Sequence, residues 1–570
     1  MTTLTTTTGS WLTTAIETLY SWVWSPLLVG LCLAAGLYFS LRTRFVQVRR
    51  FGQMFRLLFG SAGDKQKTGI SSFQAFAMAL SGRVGTGNIV GVATAIGFGG
   101  PGAIVWMWII AFFGAGSAFA EATLAQIFKE NHHGEFRGGP AYYIEKGLHS
   151  PLFGSVFAVL AAVACGIFLP PVQCNGIALS FERSLGVDAW IVGLGVAMLI
   201  GLVIIGGVKR IANVAQIVAP FMALLYILLS LVVLAINYKV VPGVFMEMLR
   251  GAVGVGQLGG AILGSTIAWG VKRGIYSNEA GQGTGPIVAA AAKVSHPVKQ
   301  GLVQAFSVYI DTLLVCTATA MMILACKTYN IIESVQQVAG SGAVVTYLQQ
   351  NEGAPLGEPG VFYTSGALGT VIGNRAGDMV ISFALFFFAF TTIMAYYYYA
   401  ETNLVYLFSR FRSRKLRRFS KMVQAERITS DKGGSAAKEW LDNEEKRLAE
   451  IAEQYEKKDL TFGDDKGEKA VVWMLRCGTI TAVFIGSLVG SGIVWTIGDI
   501  GVGAMAWINI IAILLLSPKA IRSLKDFEKQ QKAGKEPVFN PRELGIEGAE
   551  FWAPPRNAAP GDGNHCRGTV

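Results

Sequence analysis

The sequence predicts an all-α integral membrane protein. Of its 570 residues, 52% are hydrophobic and 15% are charged, whereas soluble domains have roughly 25% charged residues. The charges are also clustered, because 29 of the 85 Asp, Glu, Lys and Arg residues lie between Arg410 and Ala470. This composition excludes a soluble multidomain enzyme, a disordered chain and a secreted scaffold held together by disulfides.

About eleven apolar runs are long enough to cross a hydrocarbon core of roughly 30 Å as helices. We place these predicted transmembrane helices near residues 22–42, 73–99, 101–128, 151–174, 187–208, 211–237, 256–290, 299–326, 376–402, 471–495 and 499–517. Starting from an external N-terminus, alternation puts the basic segments 43–72 and 410–421 and the tail from Lys519 on the cytoplasmic side. That is the positive-inside arrangement. The sequence therefore predicts a multi-pass inner-membrane protein with an external N-terminus and a cytoplasmic C-terminus.

Two of these runs contain glycines and cations near mid-span. The second reads ALSGRVGTGNIVGVATAIGFGGPG and includes Arg83, and the seventh reads GGAILGSTIAWGVKRGIYSNEAGQGTG and includes Lys272 and Arg273. Glycine costs up to about 1 kcal/mol per residue inside a helix, and a charge at the bilayer centre costs several more. Close helix packing would explain the glycines but not the coincident charges. We therefore interpret both runs as helices that are broken near the middle of the membrane.

The positions of the two broken helices predict an internal repeat. If the first span is an extra helix, the other ten divide five and five, and each half begins with a broken helix, which indicates inverted repeats with a midplane substrate site. The predicted divisions are 1–72 (N-terminus, extra helix and basic loop), 73–240 (first repeat), 241–410 with 471–517 (second repeat), 411–470 (charged cytoplasmic insert) and 518–570 (cytoplasmic tail). Free amides at a break suit a carboxylate and free carbonyls suit a small cation, so an amino-acid zwitterion and a sodium ion are natural ligands.

Four long motifs, in this order, resemble the alanine or glycine:cation symporter family: GRVGTGNIVGVATAIGFGGPGAIVWMW, FRGGPAYYIEKGL, AWGVKRGIYSNEAGQGTGP and FAFTTIMAYYYYAE. The resemblance runs from about residue 22 to 517. It implies the leucine-transporter fold with one additional N-terminal helix, and sodium-coupled uptake of small neutral amino acids by alternating access. The implied partners are the amino acid, sodium and the lipid bilayer. Apart from the coupling ion, no cofactor, enzymatic activity or nucleic-acid partner is expected, and the oligomeric state is left open.

The resemblance also implies particular site residues. Those for the substrate are Gly85, Thr86, Gly87, Ala268, Trp269, Gly270, Gly274, Thr392 and Tyr396. Those for the cation are Ser81, Val84, Asn88, Thr391 and Thr392. The second break is expected around Ala268 to Gly274, with the inner half-helix starting near Ser277 and Asn278. Many family members have Gly-Trp where this chain has Ala395 and Tyr396, so the size of the preferred amino acid is left open.

Several residues and functions retain two interpretations. Arg83 either holds a substrate carboxylate or pairs with Glu121 or Glu279, and Lys272 and Arg273 are interpreted as gate or anchoring charges rather than ligands. Asp311 is either a functional intramembrane acid or a packing acid. If it is functional, a proton-coupled amino-acid carrier is an alternative. A further alternative is a transporter-derived sensor or channel that signals through the insert 411–470.

Overall fold

The computed structural model describes residues 11–60, 69–132, 134–255, 262–338, 342–356, 359–430 and 466–552. Its α-helices are α1 (Trp11–Val23), α2 (Pro26–Arg42), α3 (Val46–Arg49), α4 (Phe51–Phe59), α5 (Ser72–Arg83), α6 (Val92–Gly99), α7 (Ala103–Ile127), α8 (Pro140–Leu148), α9 (Pro151–Val163), α10 (Leu169–Leu185), α11 (Ala189–Ile204), α12 (Gly207–Ile236), α13 (Val241–Ala252), α14 (Leu263–Asn278), α15 (Gly285–Ala291), α16 (Pro297–Val308), α17 (Thr317–Ala325), α18 (Val361–Ile372), α19 (Asn374–Ser430), α20 (Lys466–Gly486) and α21 (Ser491–Lys532).

Shorter elements interrupt or connect these helices. Within the described ranges, the π-helical segments are π1 (Gly87–Gly91), π2 (Ala164–Phe168) and π3 (Tyr309–Cys316), and a 3₁₀ turn spans Glu550–Trp552. The strands form two antiparallel hairpins, β1 (Glu130–His132) with β2 (Glu135–Arg137) and β3 (Ile331–Val338) with β4 (Gly342–Gln349).

Among the described residues, eight helical stretches are long and apolar enough to cross a membrane. They are Thr14–Arg42, Ala103–Ile127, Pro151–Leu185, Gly207–Ile236, Pro297–Ala325, Asn374–Arg410, Gly467–Gly486 and Ser491–Lys532. These stretches confirm a mostly helical, multi-pass membrane architecture. The eleven-helix count, the inverted repeats and the domain boundaries stay predictions. Helix α19 continues through the start of the charged insert, and most of the rest of the insert, residues 431–465, lies outside the described residues.

Helix α7 packs along α2, α14 and α16, and glycines on two of these helices allow the close approach. A Cβ atom at Gly36 of α2 would lie 2.9 Å from Phe113, and one at Gly270 of α14 would lie 2.4 Å from the carbonyl oxygen of Ala103. Small residues at such contacts let helix backbones approach closely. Helix α7 therefore lies directly against α14, the helix that comes before the second interruption in the chain.

The outer ends of the two interrupted segments are hydrogen bonded to each other. Helix α5 begins with a capping box, in which Ser71 Oγ accepts from the Gln74 amide (3.1 Å) and Gln74 Oε1 accepts from the Ser71 amide (3.0 Å). Immediately before it, the Ile70 amide donates to the Ala291 carbonyl (3.1 Å), and the Lys293 amide donates to the Ile70 carbonyl (2.9 Å). The start of α5 and the end of α15 are thus tied at one end of the bundle.

Residues 533–552 fold back over this end of the bundle, which we call the tail face. The Phe539 amide donates to the Ser295 carbonyl (3.0 Å), and Trp552 Nε1 donates to the Gln126 carbonyl (2.9 Å). Gln126 in turn donates through Nε2 to the Ala292 carbonyl (2.9 Å) at the end of α15. The tail therefore covers the groups that cap α15.

His296 precedes α16 on the tail face, outside the membrane-spanning segment, and its ring packs against Phe539. Its Nδ1 accepts from the Val298 amide (3.2 Å), so this nitrogen carries no proton, and Nε2 contacts Asp526 Oδ2 (3.3 Å) as a donor. Burial, and to a smaller extent the charge of Lys299, lowers the pKa of His296 from 6.5 to about 3. The imidazole is therefore neutral in the folded protein at neutral pH.

We expect acid to destabilise the tail face through His296. Because folding lowers the pKa of this histidine, its contribution is complete above the unfolded pKa of about 6.5. This contribution to the free energy of unfolding is lost as the pH falls toward about 3. At 1.36 kcal/mol per pH unit, about 2 kcal/mol is lost by pH 5. His296→Asn retains an acceptor for the start of the helix, so its melting temperature in detergent should fall less than that of the parent between about pH 7 and about pH 5.

The matched control for this prediction is His149→Asn. His149 is exposed and has a positive φ of 54°, a conformation that asparagine tolerates. This variant should keep the parent's pH dependence. Equal acid sensitivity of the parent and His296→Asn would contradict the assignment.

Candidate functional site

The first interruption lies directly after α5, at residues 84–86. Val84 has an extended backbone (φ −79°, ψ 90°), and two amides that leave the helix bond to side chains instead. The Gly85 amide donates to Asn88 Oδ1 (2.9 Å), and the Thr86 amide donates to Gln173 Oε1 (3.0 Å). Buried backbone groups in a membrane protein need such partners. The break thus falls in the predicted GTGN segment.

Four oxygens converge beside this break. Thr392 Oγ1 lies 2.8 Å from the Ser81 carbonyl, 3.2 Å from the Val84 carbonyl and 3.0 Å from the Phe388 carbonyl. Since a hydroxyl has a single hydrogen, it cannot donate to all three carbonyls at once. Uncharged oxygens of this kind are suitable ligands for a hard cation. The structure therefore brings together three of the five predicted cation-binding residues.

The other two predicted cation-binding residues are used differently. Thr391 Oγ1 donates to the Phe388 carbonyl (3.0 Å) and contacts Met222 Sδ (3.8 Å). Neighbouring residues on an α-helix point about 100° apart, so Thr391 faces away from the break while Thr392 faces it. Asn88 accepts from Gly85 and donates through Nδ2 to Asp311 Oδ1 (2.7 Å). Thr392 thus contacts the carbonyls at the break, Thr391 does not, and Asn88 bonds across the break; the paired threonine site and the role of Asn88 as a ligand stay predictions.

The predicted substrate glycines of the first break are tightly enclosed. A Cβ atom at Gly85 would lie 2.6 Å from Thr392 Oγ1 and 2.8 Å from Gln173 Oε1. One at Gly87 would lie 3.1 Å from Tyr276 Cδ1. The absence of a side chain at these two positions lets α10, α14 and α19 approach the unwound backbone.

The second interruption lies later than the sequence predicted. Helix α14 is continuous from Leu263 to Asn278, the chain unwinds over residues 279–284, and α15 begins at Gly285. Gly281 (φ 82°) and Gly283 (φ 94°) supply the positive φ angles of the unwound segment. The predicted break around residues 268–274 and the predicted half-helix start at residues 277–278 are therefore wrong.

Packing explains the residues that were placed at that break. Gly270 and Gly274 face α7, where a Cβ at Gly274 would lie 2.4 Å from Ile110 Cγ2. Trp269 stacks on Phe98 of α6, with ring centroids 4.8 Å apart. With Ala268 they belong to the unbroken part of α14, so the structure does not place these four residues at the unwound backbone.

Arg83 connects the two interruptions. Its Nε donates to the Asn278 carbonyl at the end of α14 (2.7 Å), and Nη1 donates to Gln304 Oε1 (3.2 Å) and to Ser307. Within the described residues it makes no ion pair with Glu121 or Glu279. Arg83 therefore caps the end of α14, and neither predicted carboxylate pairing is seen.

Asp311 also joins the two interrupted segments. Besides its contact with Asn88, the carboxylate accepts from Ser277 Oγ (2.8 Å) and from Thr312 Oγ1 (2.7 Å). Both carboxylate oxygens of this fully buried side chain therefore have donors, which link π3 to π1 and to α14.

On the side of the breaks away from the tail face, Lys272 and Arg273 share one acid. Lys272 Nζ lies 2.9 Å from Asp499 Oδ2, and the Arg273 guanidinium contacts both Asp499 oxygens at 3.1 and 3.3 Å. All three side chains are buried. The two cations thus fasten α14 to α21, as the interpretation of anchoring or gating charges requires.

Two residues at these contacts, Gln173 and Asp499, are not among the site residues that the sequence predicts. Gln173 accepts a hydrogen bond from the Thr86 amide, and Asp499 forms ion pairs with both cations of α14. A signal existed for both, because each is a polar side chain within an apolar run, in LPPVQCN and WTIGDIGVG respectively. Tyr396, the predicted pocket wall, is buried on α19 with its ring 6.0 Å from that of Tyr399.

A multi-pass helical bundle with two interrupted helices meeting at buried polar residues is the arrangement of a secondary transporter. Comparison with known proteins agrees, because the model of the "Sodium:alanine symporter family" matches residues 9–426 and 453–541. The chain belongs to this family, and it is a transmembrane amino-acid symporter.

Named relatives cover nearly the whole chain. A putative sodium/proton-dependent alanine carrier protein, YrbD of Bacillus subtilis, is 45% identical over 94% of this chain and 97% of its own. The sodium/proton-dependent alanine carrier protein of Bacillus sp. strain PS3 is 41% identical over 88% and 97%. The probable sodium/glutamine symporter GlnT of Bacillus subtilis is 37% identical over 93% and 94%.

The enclosure of Gly85 predicts a sharp difference between two glycine substitutions. Gly85→Ala forces a methyl group against Thr392 and Gln173, so we expect amino-acid uptake to fall by at least about tenfold, equivalent to about 1.4 kcal/mol. Gly91→Ala is the matched control, because its Cβ would meet only Arg273 Cδ, at 3.7 Å. Uptake by both variants, normalised to protein in the membrane, is the measurement. Parent-like uptake by a correctly inserted Gly85→Ala protein would contradict the assignment.

Proposed function

We propose that this protein couples sodium entry to the uptake of a small neutral amino acid, alanine or glycine, by alternating access. The observation that carries the proposal is the unwound backbone at residues 84–86, with the Thr392 hydroxyl against the carbonyls of Ser81 and Val84. Amides and carbonyls of one short segment are thereby offered to a carboxylate group and to a cation. The energetics are favourable, because each sodium ion entering gains about 2.3 kcal/mol per 100 mV while the zwitterion carries no net charge.

We place sodium among Ser81 O, Val84 O and Thr392 Oγ1. No carboxylate is needed there, since carbonyl and hydroxyl oxygens can supply the hard ligands that the ion requires. With a bound ion, the Thr392 hydroxyl would keep its hydrogen, donate it to the Phe388 carbonyl and turn its oxygen lone pairs toward the ion, together with the Ser81 and Val84 carbonyls. Thr391 and Asn88 are not part of the proposed site, because their polar groups are directed elsewhere.

We place the substrate carboxylate at the amides of residues 85–87. The Gln173 side chain now accepts from the Thr86 amide, so the carboxylate would take the position of the Gln173 oxygen. Tyr396, beside Tyr399, is the proposed limit on side-chain size. The relatives are named for alanine and for glutamine, so purified protein in liposomes should be tested with all the common amino acids.

We propose that the tail face is cytoplasmic. Arg49 in the basic segment after α2 forms an ion pair with Glu528 of α21 (2.6 Å), and Arg50 donates to Gln531 (3.2 Å). The basic segment and the tail thus share one end of the bundle, and basic residues favour the cytoplasmic side. The N-terminus would then lie outside and the membrane would be the inner one.

The two neighbouring threonines provide a direct test of the sodium site. Thr392→Val keeps the volume and removes a ligand, so the sodium concentration for half-maximal uptake should rise about tenfold or more, equivalent to about 1.4 kcal/mol. Thr391→Val removes an equivalent hydroxyl that faces Met222, so its sodium dependence should match the parent. Sodium-activation curves in proteoliposomes separate these outcomes. If both variants behave like the parent, the site is elsewhere, and if the parent shows no sodium-dependent uptake, the proposed function fails.

A further inference from the structure

Three buried carboxyl groups surround one buried cation in the middle of the bundle. Glu121, Glu279 and Asp311 have no exposed surface, and Arg83 is 2% exposed. Each of the three acids interacts electrostatically with Arg83, but none lies close enough to form an ion pair with it. One guanidinium cannot neutralise three carboxylates in a medium of low dielectric constant. Further positive charge must therefore enter this region.

The three acids differ in how their charge is stabilised. Asp311 accepts three side-chain hydrogen bonds, and Glu121 accepts from the Gly281 amide (3.3 Å) and from Asn509 Nδ2 (2.8 Å). In normal hydrogen-bond geometry, neither oxygen of Glu279 accepts from any described residue. Donors to the charged form favour ionisation. Glu279 is thus the least stabilised as an anion.

The backbone around Glu279 disfavours a negative charge further. Glu279 directly follows α14, a helix of 16 residues, and has φ 55°, in the left-handed region. The end of a helix carries a partial negative charge that repels an anion. A non-glycine residue in this conformation costs about 1–3 kcal/mol and persists only where the surrounding structure holds it. The residue is therefore held in place by its surroundings and not by an ionic partner.

The groups around Glu279 come from each of the elements that pack on it. The charged and titratable ones are Arg83 of α5, Glu121 of α7, Cys165 of π2, Tyr276 of α14, Asp311 of π3, and Tyr396 and Tyr399 of α19. Thr284 and Tyr399 place hydroxyl groups beside the carboxyl group. A hydroxyl can accept from a protonated carboxyl group as well as donate to a carboxylate, so these neighbours suit either state.

We propose that Glu279 is a proton-binding site, which carries one proton when the two breaks are closed around Arg83 and releases it when they separate. Binding converts the carboxylate into a neutral carboxylic acid, and release returns the proton to the water that enters the opened site. The proposal rests on the proposed amino-acid uptake: in each transport cycle, one proton bound to Glu279 is carried together with the substrate and the sodium ion. Asp311 and Glu121 remain ionised, and Arg83 and the sodium ion balance them.

The test uses the full-length protein in liposomes, with an inward sodium gradient, no pH gradient and a pH-sensitive dye inside. Adding alanine to the parent should acidify the lumen, and the alanine concentration for half-maximal uptake should rise with pH, by up to about tenfold per unit for one linked proton. Glu279→Gln imitates the protonated group permanently. In this variant the acidification should be lost and the half-maximal concentration should no longer change with pH.

Two further variants make the result interpretable. Glu121→Gln makes the same chemical change in a neighbouring buried acid but leaves Glu279 able to titrate. It should therefore keep the acidification, and its pH dependence should remain with the midpoint moved to lower pH, because one buried negative charge beside Glu279 is gone. Glu279→Asp keeps a titratable group, so it should retain a pH dependence with a shifted midpoint, and it covers the case in which Glu279→Gln does not fold. Unchanged acidification by Glu279→Gln, or a pH dependence lost in Glu121→Gln instead, would overturn the proposal. Absence of sodium-dependent uptake in the parent would overturn the proposed function itself, a separate result.

Discussion

The unwound backbone at residues 84–86 is the constraint on which the rest of the structure depends. Inside a membrane protein each free amide and carbonyl must find a partner. Here Gln173 of α10 takes one amide, and Thr392 of α19 reaches the carbonyls of Ser81 and Val84. Two helices distant in sequence are therefore bound to one short segment. Any ligand that binds these backbone groups must displace or turn the side chains of Gln173 and Thr392. Ligand binding therefore changes the contacts that position α10 and α19.

The first break could be located from the sequence, whereas the second could not. In the first broken helix, Arg83 lies next to the glycines of the break. The glycines that allow close packing and the residues that unwind are therefore the same short stretch of sequence. The seventh run contains two sets of glycines, and both need a position without Cβ. Gly270 and Gly274 serve the contact with α7, whereas Gly281 and Gly283 adopt positive φ angles. Sequence alone does not distinguish these uses, and the first set was mistaken for the break.

The threonine pair shows a second limit of the sequence. The motif identified the helix that approaches the first break, but only one of its two adjacent hydroxyl groups, that of Thr392, contacts the carbonyls of the break. The rotation of α19 about its axis decides which one does, and that rotation follows from contacts such as Met222 of α12 against Thr391. Gln173 was missed for a related reason, since its partner is a backbone amide that becomes available only after the helix has unwound.

Polar contacts hold the two interrupted segments, to each other or to neighbouring helices, at three heights along the bundle. On the tail face, Ile70 pairs with the end of α15, and Gln126 caps that end. At the centre, Arg83 holds the end of α14. Beyond the breaks, Asp499 binds the two cations of α14. Polar contacts thus hold the interrupted segments at the centre of the bundle and on either side of it.

Each of these three sets of contacts, which we call closures, includes a few hydrogen bonds or ion pairs beside the apolar packing around it. A hydrogen bond contributes about 0.5–1.5 kcal/mol net, so opening one end costs a few kcal/mol. Under the proposed coupling, sodium entry at about −100 mV would supply a comparable 2.3 kcal/mol per ion, and ligand binding would add to it. Closures of this strength are stable enough to keep one end shut and weak enough for the ligands to decide which end opens.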